Sequence, residues 1–180
     1  MKKFELTTES ITNEVGKKLF RIKALIDFGD VKAGELGGYV EKEGNVSQDD
    51  NAWVSGDAEV FGNAKVSGNA KVFGNAKVSG NARVSGDALI SGNAWVSGDA
   101  RVYDNADYAL VQGFGIKFRC TTFYRGKNEK IMVNCGCFHG DLEEFRKQVK
   151  ETRSGKIAKE YLMIADLMEY HFVSEDSGDE

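Results

Sequence analysis

Asn63-Ala-Lys-Val-Ser-Gly68 is a six-residue unit that the chain repeats with little change from residue 51 to residue 106. Each unit contains the sequence Ala-x-Val, in which side chains alternate with the period of two that is typical of a β-strand. Ala and Val therefore share one face, and the residue between them lies on the other. A strand this short must then turn, and Gly followed by Asn or Asp permits the positive φ that a tight corner needs. Each unit therefore predicts one short strand and one corner around a narrow apolar interior.

A period of six residues predicts a solenoid, because so small a unit must stack on its neighbours to bury its apolar face. The repeat resembles the hexapeptide-repeat proteins, whose aliphatic residue is followed four positions later by a small one, as Val54 is by Ala58 and Val60 by Ala64. This resemblance implies a mainly β fold, a left-handed parallel β-helix with coils of about eighteen residues.

The Gly-Asn-Ala-x-Val units, followed by the segment Thr122-Phe-Tyr-Arg125, also resemble proteins found in phage and prophage genomes. This second resemblance implies a bacterial host cell as the setting and names no activity.

The N-terminal half is predicted to hold a cap and the solenoid. Residues 1–37 predict an N-terminal β cap with strands at 3–7 and 18–28, since an open solenoid end would expose unpaired backbone. The solenoid is predicted over residues 38–111, about four coils, because Val40 and Val46 already fall in the alanine phase of the period.

Residues 112–173 predict a β-hairpin around Gly126, followed by two helices. Asp141 stands three residues before Glu144 at the start of the first helix, which is the pattern of a capping box, and Ser154-Gly155 ends that helix. Both helices have an apolar stripe that indicates packing against the β-structure, with a partner-binding groove as the alternative. The stripes consist of Leu142, Phe145 and Val149, then Ile157, Tyr161, Ile164, Met168 and Phe172. The acidic residues 174–180 are expected to form a disordered tail.

Composition limits the classes of partner. The 180 residues carry a formal net charge of −4 at pH 7, so no excess of base favours non-specific nucleic-acid binding. The sequence shows no apolar run of membrane-spanning length and no signal-peptide core after Met1, so we expect no membrane association. Three cysteines suit a reducing compartment better than a disulfide framework. We therefore expect a cytoplasmic location in a bacterial host cell.

Enzymes with the hexapeptide fold include acyltransferases, which use a histidine as general base, and γ-class carbonic anhydrases, which bind their metal through histidines. The two histidines here, His139 and His171, both lie outside the repeat. We therefore assign no catalytic residue and expect no cofactor, and an acyltransferase-like enzyme is the alternative.

One cluster of residues has the composition of a metal site: Cys120, Cys135, Cys137 and His139. Four such ligands would suit zinc. However, the last three alternate along a predicted strand, where neighbours on one face lie about 6.6–6.8 Å apart, too far for a tetrahedral site unless a glycine bends the chain. We interpret the cysteines as small buried residues of the hairpin and keep zinc as a weak alternative.

With eighteen-residue coils, the outward residues of the strands form three columns. The first column is Trp53, Lys71 and Leu89; the second is Glu59, Lys77 and Trp95; the third is Lys65, Arg83 and Arg101.

Large apolar residues on these faces predict a homo-oligomer, because such patches are usually covered. Trimers are frequent in the resembled family, so a trimer is favoured, with coverage by the C-terminal helices as the alternative. The predicted interface residues are Trp53, Phe61, Phe73, Leu89 and Trp95.

The third column is the candidate ligand-binding site. Its like charges disfavour the fold unless something neutralises them. The column would bind either a small phosphate-bearing ligand or an acidic patch on a partner protein, and the alternative is simple tolerance, with Asp57, Asp87 and Asp99 pairing nearby.

These observations favour a non-enzymatic, phage-type protein that binds a host component or a small anionic ligand. Antagonism of bacterial defence is one form that such binding would take. The alternatives are the acyltransferase-like enzyme and a purely structural assembly module.

Overall fold

Three strands form the N-terminal part of the chain in the computed structural model, which describes residues 1–172. They are β1 (Phe4–Thr12), β2 (Lys18–Ala24) and β3 (Leu36–Val40), joined antiparallel in that order. β1 is longer than the strand predicted over 3–7, and β2 ends at Ala24, before the predicted end at residue 28. The tail predicted over 174–180 lies outside the described residues.

The repeat forms nine strands of two residues each, β4 to β12. In chain order they are Trp53–Val54, Glu59–Val60, Lys65–Val66, Lys71–Val72, Lys77–Val78, Arg83–Val84, Leu89–Ile90, Trp95–Val96 and Arg101–Val102. Each repeat strand from β4 to β9 pairs in parallel with the strand three places further along, which gives the sheets β4-β7-β10 and β6-β9-β12 and the run β5-β8-β11. β3 pairs in parallel with β5, so this run continues the N-terminal strands as one six-stranded sheet, β1-β2-β3-β5-β8-β11. The chain therefore winds as a parallel β-solenoid of about four turns. The predicted parallel β-helix is confirmed, while its left-handed sense stays a prediction.

The interior of the solenoid contains the Ala and Val positions of every repeat. All the alanines from Ala52 to Ala100 are fully buried, and the valines and Ile90 beside them are at most 1% exposed. Backbone hydrogen bonds connect each turn to the next, for example from Glu59 N to Ala76 O at 2.9 Å. Small apolar residues thus allow the walls to approach closely, while the ladder satisfies their backbone groups.

The corner glycines are required by geometry. Those from Gly56 to Gly98 have φ between 62° and 71°, the left-handed region that glycine enters without strain. A Cβ at Gly80 would lie 2.8 Å from the backbone nitrogen of Gly98 in the next turn. The repeat therefore needs glycine both for the turn and for the close stacking of corners.

The first turn departs from the six-residue period. Val40 pairs with Val60 and Val46 bridges to Val66, so both lie in the valine column and not in the alanine phase predicted for them. The cause is an insertion, because Val54 follows Val46 by eight residues and not by six.

Three different donors satisfy the carbonyl groups of the first complete turn. Tyr39 N donates to Ala58 O at 2.9 Å through the β3–β5 ladder. The Asn45 side chain donates to Ala64 O at 2.9 Å, and the buried Lys3 ammonium donates to Ala52 O at 2.8 Å. The residues before the repeat, 1–50, form the N-terminal segment. This segment therefore supplies one backbone donor and two side-chain donors, one to each of the three faces.

Residues 106–172 belong to a second compact unit, as residues 1–105 belong to the first. Its strands β13 (Tyr108–Phe114), β14 (Arg119–Arg125), β15 (Ile131–Cys135) and β16 (Phe138–Asp141) form an antiparallel sheet in chain order. The predicted hairpin is the central β14–β15 pair. The predicted solenoid end at residue 111 is wrong, because Tyr108 already belongs to β13.

Two helices, α1 (Leu142–Thr152) and α2 (Gly155–Phe172), complete the second unit. The predicted capping box is confirmed, since Glu144 N donates to Asp141 Oδ1 and Asp141 N donates to Glu144 Oε2, each at 2.9 Å. The predicted packing is also confirmed for every stripe residue except Ile157, because the others form or contact a core with Phe123 and Val133 of the sheet. Neither helix in the described part of the chain has the length and apolar character needed to cross a membrane.

Candidate functional site

The structure forms the three predicted columns. Lys71 pairs with Trp53 and Leu89 in the first, and Lys77 pairs with Glu59 and Trp95 in the second. In the third, Arg83 pairs with both Lys65 and Arg101. The parallel ladder therefore places like charges directly beside one another in the third column.

The N-terminal segment neutralises the lysines of the other two columns. Lys71 of the first column forms an ion pair with Asp30 at 2.6 Å. Lys77 of the second column lies 2.5 Å from Glu14 and 3.7 Å from Glu59. Each of these columns therefore has a carboxylate beside its ammonium group.

The third column has no such neutralisation. Lys65 and Arg83 are exposed, Arg101 is half-buried, and none of them forms an ion pair with any carboxylate of residues 1–172. Arg101 donates through Nη1 to the carbonyl of Ala100 at 3.0 Å and, more weakly, to that of Asn81 at 3.4 Å. The column is thus an open strip of three cations on one face of the solenoid.

Within residues 1–172 the corner aspartates do not pair with the third column, so that part of the tolerance alternative is wrong, while tolerance of the exposed cations by solvent stays an alternative. Asp87 accepts a hydrogen bond from Asn69 at 2.9 Å, and Asp99 accepts one from Asn81 at 3.1 Å. Asp57 forms no ion pair with the column either, as far as the described residues extend. The corner position directs the Asp87 and Asp99 carboxylates along the corner and not across the face.

Two predicted interface residues are buried within the chain. Trp53 is 4% exposed and packs edge-to-face with Phe4 and Phe28 at ring-centroid distances of 6.2 and 5.4 Å. Phe61 is 7% exposed and clusters with Leu19 and Tyr39. The prediction that these rings lie on open faces is wrong, because the N-terminal segment covers them.

The other three interface candidates are more accessible. Phe73 is 39% exposed and Leu89 is 40% exposed. Trp95 is half-buried, and its indole nitrogen donates to Ser79 Oγ at 3.1 Å. Of the five predicted interface residues, Phe73 and Leu89 therefore offer the most surface to a second copy.

The cysteine cluster does not form as predicted. A turn at Gly136, with φ of 63°, separates β15 from β16, so Cys135 pairs with Phe138 and the single alternating strand is wrong. Cys137 is exposed in this turn, and His139 is exposed on β16, so the expectation of buried cysteines fails for Cys137. Within residues 1–172, no three His, Cys, Asp or Glu side chains are arranged to hold a metal ion. The zinc alternative has no ligand set there.

Cys120 and Cys135 are half-buried within the second unit. Burial raises the pKa of the Cys120 thiol, and Thr121 Oγ1 lies 3.1 Å from Cys135 Sγ in a hydrogen bond. The raised pKa keeps Cys120 in the thiol form and lowers its nucleophilicity.

The fold and its repeated interior define a β-solenoid repeat protein. A family model described as the YdcK β-solenoid repeat matches residues 76–92 and 82–98. The match covers part of the solenoid, so the chain is similar to that repeat family over these turns. A comparison with curated proteins found no match.

Sequence reasoning missed the acidic residues that distinguish the columns. Asp30 and Glu14 lie 41 and 63 residues before the lysines that they contact, in segments with no repeat. No local pattern links residues so far apart, so nothing in the sequence pointed to these ion pairs.

Proposed function

We propose that the protein is a non-enzymatic binding protein whose third column, Lys65, Arg83 and Arg101, docks an acidic patch on a partner protein. One observation carries the proposal: the N-terminal segment provides carboxylates for the lysines of two columns and none for the third. Like charges directly opposite in a sheet disfavour folding by up to about 1 kcal/mol per pair, although solvent and salt reduce this. An acidic partner would remove that repulsion.

The shape of the face favours a protein partner over a small ligand. Small-molecule sites are concave and bury most of their ligand. The third column instead lies along a flat sheet of two-residue strands, where a protein surface gains contacts over several turns. Arg83 and Arg101 both offer a planar fork of donors that fits carboxylates.

The proposed setting is a bacterial host cell, with a host component as the partner. The phage resemblance of the repeat supports this setting, and antagonism of bacterial defence would be one outcome of such binding. A phosphate-bearing ligand on the third column, an acyltransferase-like activity and a purely structural assembly role are the competing proposals.

The test replaces two cations of the column and compares capture from a bacterial lysate. The Arg83→Gln/Arg101→Gln variant should lose a partner that the unmodified protein captures at low salt. The control, Lys18→Gln/Lys23→Gln, changes net charge equally on β2, away from the column. Equal capture by all three proteins would contradict the proposal. Loss of partner capture in both variants would show that capture depends on net charge and not on the third column.

Acyl transfer is tested separately with purified protein and acyl-CoA donors. We expect turnover at background level, because loss of a general base typically costs about 10²- to 10⁴-fold in rate. Robust turnover would favour the acyltransferase-like alternative.

A further inference from the structure

The second unit contains a cavity of about 380 Å³ beside the β15–β16 turn. Its lining includes Arg119 and Phe138 from the sheet, Val149 near the end of α1 and Tyr161 of α2. The volume lies within the range of about 300–1,000 Å³ that is typical of small-ligand sites. Three elements of one compact unit therefore enclose a space of small-molecule size.

The charge of this cavity is positive. Lys117, Arg119 and Arg153 line it, and no Asp or Glu of residues 1–172 belongs to the lining. None of these three cations forms an ion pair with a carboxylate among residues 1–172. By contrast, Arg125 and Arg146 of the same unit each have two carboxylate partners. The cations at the cavity are therefore available to an anion from solution.

The opposite wall of the cavity is aromatic and held in place. Phe145 packs against Phe138 and Tyr161 at ring-centroid distances of 5.5 and 5.9 Å. The Tyr161 hydroxyl donates to the carbonyl of Phe114 at 3.3 Å, which fixes α2 to the end of β13. Burial and the neighbouring Cys135 raise the pKa of Tyr161, whereas Arg153 and Arg119, which line the same cavity, act to lower it.

Arg119 is also constrained on its outer side. A Cβ at Gly136 would collide with the Arg119 guanidinium, so the side chain lies across the bare backbone of the β15–β16 turn. Placing a cation against a rigid turn reduces the entropy that a ligand must remove on binding. The cavity thus combines one cation held against a turn, Arg119, with an aromatic wall whose rings pack together.

We propose that this cavity binds a small aromatic phosphate ester, with the phosphate at Lys117, Arg119 and Arg153 and the ring against Phe138 and Tyr161. Guanidinium groups bind phosphate through paired, charge-assisted hydrogen bonds, and three cations match a dianion better than a monoanion. A planar ring suits the aromatic wall because offset or edge-to-face ring contacts add to simple apolar burial. This site shares no residue with the third column, so the two proposals are tested independently.

Calorimetric titration with three simple probes tests both halves of the site. Phenyl phosphate should bind more tightly than inorganic phosphate, which lacks the ring, and more tightly than phenol, which lacks the charge. Equal affinity for phenyl phosphate and inorganic phosphate would overturn the aromatic part of the proposal. No binding of phenyl phosphate at millimolar concentration would overturn the whole.

Substitutions locate the binding. Arg119→Gln and Arg153→Gln should each weaken phenyl phosphate binding at least about tenfold, since each removes a charge-assisted contact. The control is Lys150→Gln, an exposed cation on α1 that does not line the cavity. A loss as large in Lys150→Gln as in Arg119→Gln, or no loss in either arginine variant, would contradict the assignment. Arg83→Gln/Arg101→Gln should bind phenyl phosphate normally.

Cys137 provides a measurement that does not depend on any variant. This thiol is exposed and lines the cavity, so iodoacetamide should alkylate it in the free protein. Saturating phenyl phosphate should slow that alkylation several-fold, as followed by mass spectrometry of the Cys137 peptide. An unchanged rate at saturation would place the ligand elsewhere.

Discussion

Asparagine and aspartate have different roles at the corners of the solenoid. The Asn amide of one turn donates to the side-chain oxygen of the corner residue in the next turn, and Asp87 and Asp99 end two of these ladders as acceptors. The bonds run from Asn51 to Asn69 to Asp87, from Asn63 to Asn81 to Asp99, and from Asn75 to Asn93. In the two ladders that end at Asp87 and Asp99, the last corner residue only accepts, so a carboxylate suffices there.

Replacing Asn69 with Asp should destabilise the solenoid. The change removes the donor to Asp87 and places two carboxylates at hydrogen-bonding distance. We expect a cost of about 1–2 kcal/mol, or a melting temperature lower by several degrees, at neutral pH. Thermal unfolding followed by circular dichroism measures it.

Asn93→Asp is the matched control. Asn93 accepts from Asn75, and an aspartate would keep that bond while facing no carboxylate in the preceding turn. Its melting temperature should stay close to that of the unmodified protein. Equal destabilisation by the two substitutions would show that the ladder is not what distinguishes these corners.

At the scale of the element, the repeat period determines strand pairing. The three columns were predictable because a parallel ladder places residues one coil apart side by side, as it does Arg83 and Arg101. The inserted residues before Val54 were not predictable, because a short alternating segment fits more than one phase. The β15–β16 turn at Gly136 was missed for a related reason, since the alternation of residues continues across a two-residue turn.

The cap of α1 gives a prediction at this scale. The pKa of Asp141 is held below its ordinary value, first by the Glu144 amide and then by Lys130. Asp141→Ala should lower stability by about 1 kcal/mol at pH 7, and Asp141→Asn by less, because asparagine still caps. Chemical denaturation of the three proteins measures the difference.

The pH dependence of this cap has a defined sign. A carboxyl group with a lowered folded-state pKa stabilises fully above its unfolded pKa, and the stabilisation is lost as pH falls through the folded value. The advantage of the unmodified protein over Asp141→Ala should therefore shrink below about pH 4. A difference that persisted unchanged under acid would mean that the charged form of Asp141 does not carry the cap.

At the scale of the whole molecule, the N-terminal segment changes what the sequence suggested. It supplies donors to the first turn, buries Trp53 and Phe61, and pairs with Lys71 and Lys77. None of these long-range contacts has a local signature. The third column itself could be predicted from the repeat period. That it alone lacks a carboxylate from the N-terminal segment could not be predicted, because those contacts are long-range.

The oligomeric state stays a prediction, with a trimer favoured. Phe73 and Leu89 are the most exposed of the five predicted interface residues, and exposed apolar groups of this size are usually covered. Light scattering at micromolar concentration should give a trimer mass, and Leu89→Lys should lower it, while Leu89→Met should not. A monomer mass for the unmodified protein would contradict the prediction.

The most direct measurement of the central claim is site-specific photocrosslinking from Ser85, the half-buried residue that follows β9 in the third column's sheet. Its control is Ser91, which occupies the same repeat position after β10 in the first column's sheet. With a photoreactive residue at each position, a bacterial lysate should give a partner adduct from position 85 that disappears at high salt. Position 91 should give no such adduct. The account is contradicted if position 85 yields no adduct, or if both positions yield the same one regardless of salt.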